Sequence, residues 1–241
     1  MKHTVVDLFY GCGGLSLGFE QAGFEVISAY DSWLPAVETY RQNFSHHIEL
    51  CELGSDTELP AADVIIGGPP CQGFSSAGLR RTGDERNTLI SIFSKLIQRF
   101  KPKAFVFENV EGFLTGQGGH FVFELLEPLI LAGYRIHLRK INASNFGVPQ
   151  HRKRVLVVGG LGWDPSFPKH THSSLGAPGA TLLNGHNMPF SPTLGETFSD
   201  LPPAYPRTGP GDLSQLDHTF SLFSAADQER ASLLVPSLTI T

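Results

Sequence analysis

The chain has 241 residues, of which 41% are hydrophobic and 17% charged, and its formal net charge is −5. This length suffices for one large core, or for one domain with part of a second. No apolar run approaches the roughly 20 residues of a membrane-spanning helix, and the N-terminus lacks a signal sequence, so we expect a soluble cytoplasmic protein. Three widely spaced cysteines, Cys12, Cys51 and Cys71, indicate neither a disulfide scaffold nor a metal site.

Short β-rich runs alternate with helical patterns, which predicts an α/β fold with a mostly parallel sheet and helices on both faces. The predicted strands span residues 5–9, 24–30, 48–51, 64–67, 104–108, 134–142 and 155–159. The predicted helices span residues 16–22, 35–44 and 88–100. Beyond residue 160, loop-forming residues dominate, and only residues 225–234 have a helical pattern. We therefore divide the chain into an α/β domain, residues 1–160, and a loop-rich extension, residues 161–241.

A glycine-rich turn, Phe9-Tyr10-Gly11-Cys12-Gly13-Gly14, follows the first predicted strand. Glycines there let the backbone approach a ligand, and the next helix offers unpaired N–H groups at its N-terminus. Asp31, at the end of the second strand, is the kind of acid that hydrogen-bonds a ribose. Taken alone, the turn is compatible with NAD, FAD or S-adenosylmethionine, or with a tight connection that binds nothing.

The tetrapeptide Pro69-Pro70-Cys71-Gln72 follows an apolar run, residues 62–68, and places a thiol just after a buried strand. Open α/β sheets hold their chemistry at that edge. A lone cysteine there is equally compatible with an inert core residue. Glu108 ends the next predicted strand, so we expect it to face the same place, although a helix cap or a surface carboxylate is the alternative.

Basic residues cluster in two places although the whole chain is acidic. Residues 128–163 contain no acid and six basic residues: Arg135, Arg139, Lys140, Arg152, Lys153 and Arg154. Arg80, Arg81 and Arg86 form a second group after Cys71. A solvated face is one interpretation. Because both groups flank the predicted site, we favour a rim that contacts nucleic-acid phosphates.

Four segments in this order resemble the motifs of the DNA (cytosine-5) methyltransferases: the glycine-rich turn, Gly-Pro-Pro-Cys71-Gln-Gly-Phe-Ser, Glu108-Asn109-Val110 and Gln150-x-Arg152-x-Arg154. The resemblance covers residues 5–203 and implies a Rossmann-like fold that uses S-adenosylmethionine. It implies an enzyme of a bacterial restriction-modification system that methylates carbon 5 of cytosine in double-stranded DNA. Cys71 would add to carbon 6, Glu108 would protonate ring N3, and the base would be extruded from the duplex.

The resemblance also implies roles for further residues. Phe9 would pack on the cofactor, Asp31 would hold its ribose, and the other cofactor-binding positions would be Gly11, Gly13, Gly14, Leu15, Glu52 and Pro70. Arg152 and Arg154 would hold the target nucleotide, and the DNA-binding positions would be Ser75, Arg80, Arg81 and Gln150. Two positions depart from the family: Ser32 stands where many relatives carry a bulky side chain against the adenine, and Glu52 where an Asp is usual.

Relatives continue with a target-recognition domain, an Arg-containing motif and a closing Gly-Asn motif, none of which is in this sequence. We therefore expect a second subunit, or further sequence, to carry these elements and to read the DNA site. Two alternatives stay open: an RNA cytosine-5 methyltransferase, and a catalytically silent fragment that binds the cofactor or DNA.

Overall fold

The structure, a computed structural model, describes residues 2–70, 88–174 and 188–199 and the short strands 205–206 and 219–220. Four predicted site residues, Cys71, Ser75, Arg80 and Arg81, lie outside the described residues, as does the helix predicted at residues 225–234. The described part includes every strand that the sequence analysis predicts.

Seven strands form one sheet: β1 Thr4–Leu8, β2 Glu25–Asp31, β3 His47–Leu50, β4 Val64–Gly67, β5 Ala104–Asn109, β6 Tyr134–Asn142 and β7 Lys153–Leu161. Their order is β3-β2-β1-β4-β5-β7-β6. Strands β1 to β5 pair in parallel. Strand β7 is antiparallel to both β5 and β6. The predicted α/β fold with a mostly parallel sheet is confirmed.

The helices are α1 Gly14–Gln21, α2 Leu34–Asn43, α3 Thr88–Phe100, α4 Gly112–Thr115, α5 His120–Leu131 and α6 Leu194–Thr197. Short 3-10 turns follow α4, at Gly116–Gly119, and β6, at Ala143–Phe146. The bounds predicted for the first three helices and for all seven strands agree with the structure to within two residues.

Helix α5 has no counterpart among the predicted elements. It contains Pro128, and a proline inside a helix removes a backbone donor. The helix nevertheless forms because its apolar side packs against α3, with Leu125 and Leu129 fully buried. Burial of this face therefore outweighs the local cost of the proline.

Successive residues of the central strand β4 face two different cores, since side chains alternate along a strand. Ile65 lies in the larger core, with Phe93 of α3 and Phe107 of β5. Ile66 lies in a second core, with Phe19 of α1 packed against it. Because both faces of the sheet are packed, the ends of the parallel strands keep fixed positions relative to one another.

The register of the sheet aligns the C-terminal ends of four parallel strands. One row runs across β2, β1, β4 and β5 and consists of Tyr30, Leu8, Gly67 and Phe107. Because the row is fixed by backbone pairing, the residues that follow it emerge at one edge of the sheet.

Gly67 is the tightest position in this row. A Cβ atom there would lie 2.8 Å from the backbone oxygen of Leu8 and 2.9 Å from the ring of Phe93. A backbone oxygen cannot move aside as a flexible side chain can, so we expect Gly67→Ala to lower the free energy of unfolding by about 1–3 kcal/mol. Urea denaturation followed by circular dichroism measures this change.

Gly18→Ala is the matched control, because Gly18 is exposed in α1 and no other atom lies within 4 Å of its Cβ position. Alanine should raise the free energy of unfolding there by about 0.5–1 kcal/mol. A Gly67→Ala variant as stable as the wild type would contradict the close approach of β1 and α3 to β4.

Candidate active site

The predicted site residues gather at the edge of the sheet where the parallel strands end. The residues that directly follow the aligned row are Asp31, Phe9, Gly68 and Glu108. Neighbouring strands lie about 4.8 Å apart, so this line extends over roughly 14 Å. The predicted cofactor-binding acid and the predicted catalytic acid therefore lie along the same edge.

The segment of residues 150–154 reaches this edge because β7 is antiparallel. Leu156 pairs with Glu108 and Val155 pairs with Asn109, so the beginning of β7 lies beside the end of β5. If β7 ran parallel to β5, residues 150–154 would lie at the opposite edge of the sheet. The reversal of β7 was not predicted, and it is what brings Arg154 to Glu108.

Glu108 and Arg154 form an ion pair, with Arg154 Nε 2.7 Å from Glu108 Oε1. The two side chains are only 28% and 20% exposed. Arg154 Nη1 also donates to the backbone oxygen of Lys153 at 2.7 Å. On the other side, a Cβ atom at Gly68 would come within 3.2 Å of Glu108 Oε2. The carboxylate is thus held between a guanidinium and the glycine that follows β4.

Asn109 links the end of β5 to the segment that leads to Cys71. Its side chain is buried, and its Nδ2 lies 3.5 Å from the backbone oxygen of Pro69. Its Oδ1 accepts a hydrogen bond from Val110 N at 2.9 Å. Pro69 is buried and Pro70 is exposed. The structure therefore describes the surroundings of the predicted nucleophile up to Pro70, while Cys71 itself lies outside the described residues.

Part of the basic cluster is neutralised by acids that follow or end β5. Lys140 Nζ lies 2.5 Å from Glu111 Oε1, and Lys153 Nζ lies 4.0 Å from Glu111 Oε2. The hydrogen bond from Lys140 lowers the pKa of Glu111. Arg154 is paired with Glu108. The exposed members of the cluster are Arg135, Arg139, Lys140 and Arg152, and of these Lys140 is the one paired with Glu111.

Asp31 holds the glycine-rich turn in place. Its Oδ2 accepts a hydrogen bond from Gly11 N and its Oδ1 accepts one from Trp33 N, both at 2.9 Å. A carboxylate offers about four lone-pair sites, so some remain for a ligand. Phe9 has a φ of 59°, which is costly for a residue other than glycine, and its N–H donates to the oxygen of Tyr30 at 2.8 Å. The turn is therefore constrained from the β2 side.

The turn leaves room for a ligand against its backbone. No other atom of the described residues lies within 4 Å of a Cβ position at Gly11 or at Gly14. Leu15 is half-buried and packs against the second core, whereas Glu52 and Pro70 are exposed. An open glycine turn beside an acid with free lone pairs fits the nucleoside part of S-adenosylmethionine.

Gln150 and Arg152 are both exposed near the start of β7. Gln150 lines an open cleft of about 670 Å³, together with Ser144, Val148, Pro149, His151, Ser173, Ser174, Phe190, Ser191, Pro192, Thr193 and Glu196. Among the described residues, no group of three or more His, Cys, Asp or Glu side chains is arranged to hold a metal ion. Within those same ranges, every helix is too short or too polar to cross a membrane.

The sequence analysis missed a buried polar chain directly behind the turn. Asp7 of β1 is fully buried, and its Oδ2 lies 2.6 Å from the Ser16 hydroxyl oxygen. Tyr40 of α2 in turn contacts the Ser16 hydroxyl at 2.6 Å. Burial raises the pKa of Asp7 to about 7. The available signal was an acid inside the apolar strand Thr4-Val5-Val6-Asp7-Leu8.

A family model described as C-5 cytosine-specific DNA methylase matches residues 3–180. The match covers most of the chain, so the chain belongs to the family of C-5 cytosine-specific DNA methylases. The resemblance found in the sequence motifs is thereby confirmed.

Curated relatives support the same family. The chain is 36% identical over 218 residues to the Type II methyltransferase M.AgeI of Thalassovita gelatinovora, covering 82% of this chain and 50% of that protein. It is 42% identical over 168 residues to the Type II methyltransferase M.HindV of Haemophilus influenzae, covering 67% of this chain and 54% of that protein. The chain spans about half the length of the curated relatives it matches.

Solved structures show the same fold. A DNA modification methyltransferase encoded within an E. coli prophage is 32% identical, with a TM-score of 0.59 over 66% of this chain and 47% of that one. The S. pombe Dnmt2 methyltransferase is 20% identical, with a TM-score of 0.57 over 69% of this chain and 52% of that one. At this lower identity the second likeness concerns the fold alone.

Proposed function

We propose that this chain is the catalytic half of an enzyme that transfers a methyl group from S-adenosylmethionine to carbon 5 of cytosine in double-stranded DNA. The observation that carries the proposal is the Glu108–Arg154 pair at the edge where β4 leads toward Cys71. The open glycine turn with Asp31 lies along the same edge. Membership of the family and the Type II methyltransferases among the relatives support a role in restriction-modification.

Carbon 5 of cytosine is a poor nucleophile and must be activated. In the proposed reaction the Cys71 thiolate forms a bond to carbon 6, which moves electron density to carbon 5, while Glu108 gives a proton to ring N3. S-adenosylmethionine supplies an electrophilic methyl group. The carbon 5 proton then goes to water, the proton on N3 returns to Glu108, and cleavage of the bond between sulfur and carbon 6 restores the aromatic base and frees the Cys71 thiolate.

In the proposed complex, Arg154 binds the carbonyl oxygen of the cytosine. Its Nε pairs with Glu108 and its Nη1 donates to the Lys153 backbone, and in the proposed complex its Nη2 donates to the cytosine carbonyl. A planar guanidinium stays charged and keeps a fixed fork of donors. The base reaches these groups only after leaving the duplex, which costs a few kcal/mol of stacking and pairing.

The family resemblance implies that DNA sequence recognition belongs to a part of the relatives that this chain does not span, and the chain covers 50% of M.AgeI and 54% of M.HindV. We propose that site-specific methylation requires that second half, in the same polypeptide or as a separate subunit. The methylation assay therefore includes a polypeptide that carries the second half of a relative. It follows the transfer of a labelled methyl group to duplex DNA of mixed sequence.

Glu108→Gln tests whether Glu108 gives the proton to ring N3. The substitution keeps the shape of the side chain and removes its exchangeable proton, so we expect turnover to fall by about 10²–10⁴. Binding of S-adenosylmethionine, measured by calorimetry, should not change, because Glu108 lies three strands away from Asp31.

Glu111→Gln is the matched control. Glu111 lies three residues further along and pairs with Lys140 rather than with Arg154, and the substitution makes the same chemical change. It should leave turnover within about threefold of the wild type, as expected for an exposed ion pair. Equal losses in both variants would show that the charge of this edge, and not a proton from Glu108, supports the reaction.

Arg152 tests the predicted DNA-contacting rim. It is exposed at the catalytic edge, next to the start of β7. We expect Arg152→Gln to make the dependence of DNA affinity on salt concentration shallower by about one unit of log–log slope, equally for all DNA sequences. Fluorescence anisotropy over a series of salt concentrations measures the slope.

Arg135→Gln is the control for this measurement, because Arg135 is also exposed but pairs with Gly160 at the opposite edge of the sheet. Its slope should equal that of the wild type. If Arg152→Gln also kept the wild-type slope, the basic cluster would be a solvated face, as the alternative interpretation holds.

A further inference from the structure

A chain of polar contacts runs from the interior of the sheet to the surface behind the glycine-rich turn. Ser16 Oγ lies 2.6 Å from Asp7 Oδ2, and Tyr40 Oη lies 2.6 Å from Ser16 Oγ. His46 Nε2 lies 2.6 Å from Tyr40 Oη, and His46 Nδ1 lies 3.3 Å from Glu20 Oε1. Four contacts therefore connect a fully buried carboxyl on β1 to an exposed acid on α1.

These four contacts need four protons. A neutral Asp7, the two hydroxyls and a neutral His46 supply one proton each. All contacts are then satisfied in one direction, with Asp7 donating to Ser16, Ser16 to Tyr40, Tyr40 to His46, and His46 to Glu20. Burial lowers the pKa of His46, so His46 stays neutral when Asp7 loses its proton to solvent. Three protons then remain for four contacts, and one contact becomes an encounter between two acceptors.

The surroundings favour the neutral form of the chain. Asp7 is completely buried and its Oδ1 has no hydrogen-bond partner among the described residues, which makes an ionised carboxylate costly there. Burial raises the pKa of Asp7 to about 7 and lowers the pKa of His46. In the part of the chain that the structure describes, the titratable groups that face Asp7 are Asp31 of β2, Tyr10 of the turn and Tyr40 of α2, and none of them carries a positive charge.

The chain is mechanically connected to the glycine-rich turn. Ser16 is in the first turn of α1, immediately after the glycines. Gly13 has a φ of +88°, and a Cβ there would lie 2.4 Å from the ring of Phe44 and 2.9 Å from the ring of Tyr40. The rings of Tyr10 and Tyr40 are 4.2 Å apart between centroids. Tyr40 thus supports the turn with its ring and holds Ser16 with its hydroxyl.

We propose that Asp7, Ser16, Tyr40 and His46 are positioning residues whose continuous hydrogen bonds hold the glycine-rich turn in its ligand-binding geometry, and that ionisation of Asp7 breaks this continuity and loosens the turn. None of the four needs to touch the ligand. The inference rests on the proposed function only in naming that ligand as S-adenosylmethionine.

Tyr40→Phe removes one hydroxyl and keeps the supporting ring. We expect amide hydrogen exchange of residues 13–17 to become about 5- to 10-fold faster in the unliganded protein, the factor expected for one lost buried hydrogen bond. The Kd for S-adenosylmethionine should rise by a similar factor, about 5- to 10-fold, while kcat at saturating cofactor stays the same. Ser16→Ala should give the same pattern and serves if Tyr40→Phe fails to fold.

Tyr134→Phe is the matched control. The Tyr134 hydroxyl is also buried and donates to the backbone oxygen of Pro102 at 2.7 Å, at the opposite edge of the sheet. Its loss should lower stability without changing either the exchange of residues 13–17 or the Kd for the cofactor. The comparison separates a general loss of stability from a loss of positioning.

The pH profile provides a second readout. After correction for intrinsic exchange rates, protection of residues 13–17 in the wild type should fall as pH rises from about 4, near the ordinary pKa of an aspartate, to about 7, the pKa of Asp7, and should change little above it. Asp7→Asn cannot ionise and still offers a donor to Ser16, so its protection should be independent of pH in this range. Protection falls as pH rises because, between these two pKa values, the native state holds a proton on Asp7 that the unfolded state has already released.

The outcomes separate this inference from the proposed function. If the wild type bound no S-adenosylmethionine, the proposed function would fail, while the exchange data on the unliganded protein would still test the chain. If Tyr40→Phe and Ser16→Ala behaved like Tyr134→Phe in both exchange and binding, the positioning role would be wrong. A pH profile shared by the wild type and Asp7→Asn would likewise overturn the role of Asp7.

Discussion

The ion pair between Glu108 and Arg154 is the interaction on which the candidate site depends, and it exists because one strand of the sheet is reversed. Five parallel strands bring their ends, and with them Asp31 and Glu108, to one edge. The antiparallel direction of β7 adds the beginning of a strand to the same edge. A carboxyl and a guanidinium from distant parts of the chain therefore meet at this edge.

The part of this edge that carries the glycine-rich turn is organised by a different principle. The open face of the glycine-rich turn is backed by rigid packing: Asp31 holds the turn from β2, and Tyr40 fills the space beneath Gly13. A turn whose outer face stays open cannot be held by burial of that face, so contacts from behind have to hold its conformation. The buried Asp7 and its hydrogen-bonded partners lie where that support is needed.

The sequence predicted those features that follow from local pattern. Strand and helix bounds were predictable because the hydrophobic periods of 2 and 3.6 record which faces are buried. The direction of β7 was not predictable, since a buried strand has the same pattern in either direction. Helix α5 was hidden by Pro128, whose cost is outweighed only by packing against α3. The pairing of Lys140 and Lys153 with Glu111 was also not predictable, because a count of charges along one segment does not include an acid from the segment that follows β5.

The central claim, that Cys71 attacks carbon 6 of a cytosine held at this edge, is tested most directly with duplex DNA that contains 5-fluorocytosine. Fluorine cannot leave carbon 5 as a proton does, so the protein, with S-adenosylmethionine and the second half of a relative, should form a protein–DNA adduct that survives denaturation. Cys12→Ser, which removes an exposed thiol, should still form it, whereas Cys71→Ala should not. An adduct of equal yield with Cys71→Ala would contradict the account.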